Sequence, residues 1–112
     1  MKLSLVDRVI IINSILPTTG TIEQIRTILS IKNKIKLTEQ ENASLKITVP
    51  YNNIIQIDNI TDTMLLRDTV YSFSVAEIEL LKLFSNSINS NGWVTESSLS
   101  TVEYLINYTI EE

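Results

Sequence analysis

Leu45-Lys46-Ile47-Thr48-Val49 is the stretch on which the fold class turns. Apolar and polar side chains alternate along it, and its β-branched residues suit a pleated strand. The chain before it and the last third after it read with helical period. This change of period predicts an α+β domain instead of an all-helical bundle. Pro50-Tyr51-Asn52-Asn53 forms a turn cluster, and Ile54-Ile55-Gln56-Ile57 reads as a second strand, paired with the first as an antiparallel hairpin. Residues 58–68 fit a turn, a strand or a helical turn. Thr69 to Phe73, with Val70, Tyr71 and Phe73, reads as a third strand of the same small sheet.

Upstream, two helices are expected. Ser4 can accept from the backbone N–H of Asp7, and the Asp7 carboxylate sits in the first turn, where the helix dipole favours negative charge. Leu5, Val6, Val9, Ile12 and Leu16 fall on one face, and Ile10, Ile11 and Ile15 widen it until the helix is buried on most sides. Pro17 stops it near Leu16. Thr21, with Gln24 three residues on, caps a second helix with Ile22, Ile25, Ile28, Leu29 and Ile35 as its stripe. The short connection predicts an antiparallel helical hairpin. Thr38-Glu39-Gln40-Glu41 is a further capping box that starts a short helix ending near Ser44.

Downstream, Ser74-Val75-Ala76-Glu77 has the residues of a capping box, with Phe73 and Ile78 at the positions of a hydrophobic staple. This helix is expected to reach about Ile88, with Ile78, Leu81, Phe84 and Ile88 inward. Asn89-Ser90-Asn91-Gly92 ends it, and Thr95 caps a last helix bearing Leu99, Val102, Leu105 and Ile106. The expected architecture is one α+β domain over residues 1–112. It has an amino-terminal helical hairpin, a small antiparallel β-sheet in the middle and a carboxy-terminal pair of helices.

Composition narrows function. The 112 residues are 44% hydrophobic and 20% charged, which suits a globular domain. The absence of cysteine removes thiolate metal sites, cysteine nucleophiles and disulfide scaffolds; the absence of histidine removes the commonest general base and zinc ligand. No cofactor and no enzyme activity are expected. Net charge is −4, unevenly placed: residues 1–46 hold seven basic and four acidic side chains, residues 47–112 two and nine. The acidic second half argues against broad nucleic-acid binding. Asp7 and Arg8 interrupt the first apolar run, which is too short to span a bilayer and is followed by no small-residue cleavage site, so a cytoplasmic protein is expected.

The remaining motifs read mostly as structure. Leu16-Pro17-Thr18-Thr19-Gly20 spells a sortase signal but lies near the amino terminus, where a turn is the better reading. Asp58, Asp62, Asp68, Glu77 and Glu79 lack the glycine of a calcium loop and read as a solvated acidic face. Arg26, Lys32, Lys34, Lys36 and Lys46 form a basic cluster without interleaved aromatics, read as a solvated helix end. Trp93 plugs a gap between the last two helices or anchors an interface, the first being the preferred reading. Tyr104 and Tyr108, four apart on one helix face, are the leading partner-surface residues, with Tyr51 and Tyr71 beside them. Apolar residues left over on the last helix, Ile110 among them, need a cover, either the sheet-rich middle of the chain or a second copy in a homodimer using Tyr104, Leu105 and Tyr108.

The segments MKLSLVDRVIIINSILPTTG, IKNKIKLTEQE and FSVAEIELLKLFSNSINSNGWVTESSL resemble a group of small bacteriophage and prophage proteins of unknown function, over about two-thirds of the chain. The shared features are helix caps and turns. The resemblance implies an accessory phage protein, made early or structural, that acts through protein–protein interaction in the host cytoplasm. The alternative expectation is a phage inhibitor of a host defence nuclease or nucleotide-signalling system that binds through an acidic surface.

Overall fold

In the computed structural model, residues 1–48, 56–58 and 60–109 are described. Strand β1 (Lys2–Leu3) leads into helix α1 (Leu5–Ile10), which continues as a π-helical stretch over Ile11–Ile15. Then come α2 (Ile22–Ile35), α3 (Glu39–Ser44), β2 (Lys46–Thr48), β3 (Gln56–Asp58) and a 3₁₀ turn over Asp62–Leu65. Strand β4 (Thr69–Val70), α4 (Val75–Ser90) and α5 (Leu99–Asn107) complete the chain. The architecture is α+β, helix-rich, with short antiparallel pairings.

The strands divide differently from the sequence expectation. β2 and β3 pair antiparallel, Ile47 opposite Ile57, as the alternation predicts. The rest of the anticipated hairpin, Val49 to Ile55, lies outside the described residues. β4 does not join this pair. It runs antiparallel to β1, Lys2 opposite Val70 and Leu3 opposite Thr69, and Tyr71 N–H donates to the Met1 carbonyl at 2.8 Å. Among the described residues the middle sheet is thus two separate two-stranded ribbons. The partner of β4 lies nearly seventy residues away, a separation that no local pattern encodes.

α1 occupies the centre. Val6 through Ile11 are all buried, polar Asp7 and Arg8 included. Beyond Ile10 the ladder widens: the N–H of Leu16 donates to Ile11 five residues back, at 3.0 Å, and both side chains are buried. Asn13 Nδ2 donates to the Val9 carbonyl, 2.9 Å away, where the spacing changes. The helical segment still ends where Pro17 requires.

Around α1 the core gathers Leu3, Ile15, Leu16, Ile28, Ile31, Ile35, Leu81, Val102 and Leu105. The inward stripe of α2 is Ile28, Ile31 and Ile35, with Ile25 at its edge; Ile22 and Leu29 point outward. Of the expected stripe, Ile25, Ile28 and Ile35 face inward, Ile22 and Leu29 do not, and Ile31 joins it. α2 lies chiefly along α4, and the π-helical stretch also packs on α4, so the first two helices are not a self-contained hairpin. α5 packs on α4, forming the carboxy-terminal pair.

Capping boxes organise the helix starts. Ser4 with Asp7, Thr21 with Gln24, Thr38 with Glu41 and Ser74 with Glu77 each show both reciprocal hydrogen bonds. Thr95 and Ser98 make the same exchange, at 2.9 and 3.2 Å, one turn before the regular helix begins at Leu99. Gly92, at φ 70°, turns the chain out of α4 in a region that side-chain-bearing residues rarely adopt.

Candidate interaction surface

Three carboxylates close their capping boxes and also take a cation from a distant part of the chain. Asp7, in α1, accepts from Ser4 N–H at 3.0 Å, from Arg67 Nε and Nη2 at 2.7 and 3.2 Å, and from Thr101 Oγ1 at 2.6 Å. Glu41, in α3, takes Arg8 in a two-pronged pair at 2.6 and 3.1 Å. Glu77, in α4, accepts from Lys34 Nζ at 2.5 Å and from Ser30 Oγ at 3.1 Å. Each cation lies over an aromatic ring as well: Arg8 over Tyr71 at 5.5 Å, Lys34 over Phe73 at 5.7 Å, and Arg67 over Tyr104 at 4.3 Å. Arg8 further donates to the Ile35 and Lys36 carbonyls at 3.0 and 2.8 Å, satisfying acceptors at the end of α2.

The proton affinities follow. Burial pushes the Asp7 carboxyl up, but the bonds from Arg67, Ser4 and Thr101 outweigh it and hold Asp7 below the ordinary aspartate value. Arg8 holds Glu41 low, against a smaller burial effect. Burial opposes ionisation of Glu77, and Lys34, the Ser74 N–H and Ser30 overcome it. Every oxygen of the three carboxylates accepts at least one hydrogen bond, and each carboxyl is held below its ordinary value. A general acid or base needs a pKa near the working pH and a free face toward substrate. These three carboxylates are held away from that range and are each committed to a helix cap and a cation.

The unit built on Arg67 forms part of an open groove of about 900 Å³. α5 supplies one wall, through Leu99, Glu103, Tyr104 and Tyr108, and the β1–β4 ribbon the other, through Lys2 and Val70. Tyr104 and Tyr108 meet edge to face, with centroids 6.0 Å apart. The Tyr104 ring is held under Arg67. Burial raises the Tyr104 phenol above the ordinary tyrosine value, with Tyr108 adding to the effect. Lys82 donates to the Tyr108 carbonyl, fixing the end of α5. Val70 is 64% exposed and Leu99 48%.

The structure brings Tyr104 and Tyr108 together and separates the other two anticipated partner residues. Leu105 is fully buried in the core, so it is removed from the surface set: it faces α4 while its neighbour Tyr104 faces the groove. Trp93 does not plug the helix pair. It is 67% exposed, on a different cleft beside Pro17, Lys32 and Phe84. Tyr71 is half-buried beneath Arg8, and Tyr51 and Ile110 lie outside the described residues. The basic cluster disperses, with Lys34 on Glu77 and Lys32 in the Trp93 cleft. Sequence reasoning missed Val70, Leu99 and Arg67 as groove residues. A signal existed for Arg67, one of only two basic residues in an acidic second half.

Among the described residues no helix is long and apolar enough to cross a membrane, and no three metal-ligating side chains gather. Comparison with protein-family models, curated proteins and solved structures found no match.

Proposed function

We propose that this chain is a non-enzymatic protein that acts by binding another protein chain through the groove between α5 and the β1–β4 ribbon. The observation that carries this reading is the gathering of exposed Val70 and Leu99 with the Tyr104–Tyr108 pair in one open groove. Aromatic anchors held rigid before binding lose little entropy on association. Arg67 over its ring and the edge-to-face contact with Tyr108 give Tyr104 that rigidity. The occupied state of the three capping carboxylates supports a binding role over a catalytic one.

The resemblance of both ends of the chain to small phage proteins supports a phage or prophage accessory role in a bacterial cytoplasm. Exposed Glu96 and Glu103 on the groove rim favour a second reading, an inhibitor that occupies a basic groove on a host defence enzyme. Quantitative affinity capture from bacterial cells tests both. The wild-type chain and Leu99→Asp are compared after circular dichroism shows equal folding. The proposal expects specific proteins captured by the wild type and lost with the variant. A host nuclease or nucleotide-signalling enzyme among them selects the inhibitor reading. Capture indifferent to Leu99→Asp and to Tyr108→Ala contradicts the groove as the binding surface.

A further inference from the structure

Resting on that reading, we infer that one occupant of the groove is a second copy of this chain, related by a two-fold axis. The ribbon wall carries Lys2, and the helix wall carries Glu103. Neither has an ion-pair partner among the described residues, nor has Glu96 on the rim, whereas Arg67 is already neutralised by Asp7. A two-fold interface is isologous: if a residue of one copy meets a given residue of the other, the reverse contact also forms. Lys2 of each copy then meets Glu103 of the other, and two unpaired charges per chain become two pairs per dimer. A foreign partner of a single charge sign would suit only one wall.

The apolar content fits the same occupant. Val70 and Leu99 lie on opposite walls, with the Tyr104–Tyr108 pair on the helix side. Seating the α5 wall of one copy in the groove of the other covers all four side chains in both chains. Leu105 takes no part directly; it holds α5 to the core, so that Tyr104 is presented at a fixed angle.

Sedimentation equilibrium of the full chain, from low to high micromolar concentration, tests the inference. The wild type is expected to dimerise within that range. Tyr108→Glu and Leu99→Asp are expected to sediment as monomers with unchanged far-UV circular dichroism. Glu103→Lys and Lys2→Glu should each weaken the dimer by about tenfold, since two exposed pairs are lost or made repulsive at once. The double variant should recover the wild-type constant. A wild type that stays monomeric throughout overturns the second copy as occupant. It leaves the binding role standing if groove variants still lose captured proteins. A dimer insensitive to all four substitutions places self-association elsewhere and overturns the inference. Failure of the double variant to recover overturns the charge pairing on which it rests.

Discussion

Replacing Asp7 with Asn removes one charge and changes almost no volume, so it isolates what the carboxylate does. Asp7 accepts four hydrogen bonds, two from Arg67 and one each from Ser4 and Thr101, joining α1 to the segment before β4 and to α5. An asparagine oxygen can keep Ser4 N–H and Arg67 Nε. Its amide nitrogen would then face Arg67 Nη2, donor against donor; the Thr101 hydroxyl can rotate to accept. Arg67 thereby loses its counter-ion at a carboxylate that is 3% exposed. Hydrogen bonds to charged groups contribute ~1.5–3 kcal/mol each, and breaking a buried pair costs ~3–5 kcal/mol. With Arg67 itself partly solvated, the net loss should be about 3 kcal/mol. At ~1–3 kcal/mol per molar urea, that lowers the unfolding midpoint by on the order of 2 M. Far-UV circular dichroism is the suitable signal, because exposed Trp93 reports poorly on the core. The pH dependence gives a second reading. The folded Asp7 pKa lies below its ordinary 3.8, so the carboxylate's stabilisation is present above that value and fades as pH falls through the folded pKa. Asp7→Asn should flatten this part of the acid limb, leaving the contributions of Glu41 and Glu77. A loss below about 1 kcal/mol, typical of a surface pair, with an unchanged acid limb would refute the role assigned to Asp7.

Two further substitutions probe separate joints. Arg8→Met strands Glu41 and the carbonyls of Ile35 and Lys36; because Glu41 is 28% exposed and can rehydrate, the expected cost is about 2–3 kcal/mol by urea unfolding. Gly92→Ala meets open space but must hold φ 70°, so about 1 kcal/mol should be lost in the same assay, and Gly92→Asn should recover part of it.

How much of this was legible depends on range. The capping boxes at Ser4, Thr21, Thr38 and Ser74 are four-residue patterns, and all four form. The halt at Pro17 and the pairing of β2 with β3 are equally local. The cation that each capping carboxylate takes is not: Arg67 reaches Asp7 across 60 positions, Lys34 reaches Glu77 across 43 and Arg8 reaches Glu41 across 33. Asp7 therefore read as a dipole residue and Arg8 as an interruption, when burial of α1 on every side makes both part of the interior. The α2 stripe is legible at Ile25, Ile28 and Ile35 but not at Ile31, because isoleucine and leucine fill two adjacent strips of that helix and only packing against α4 selects Ile31 over Leu29. Trp93 reads as a plug between the last two helices, yet it follows the left-handed Gly92 and is 67% exposed. Tyr104 and Leu105 show the limit of a stripe argument: neighbours in sequence, one in the groove and one in the core.

Carboxyl-carbon NMR titration of Asp7, Glu41 and Glu77 tests most directly the claim that these groups hold the fold and are closed to acid–base chemistry. All three are expected to titrate below their ordinary values of 3.8, 4.5 and 4.5. Any one of them titrating at or above its ordinary value would contradict the account, for it would mean a carboxylate not committed to its helix cap and its cation.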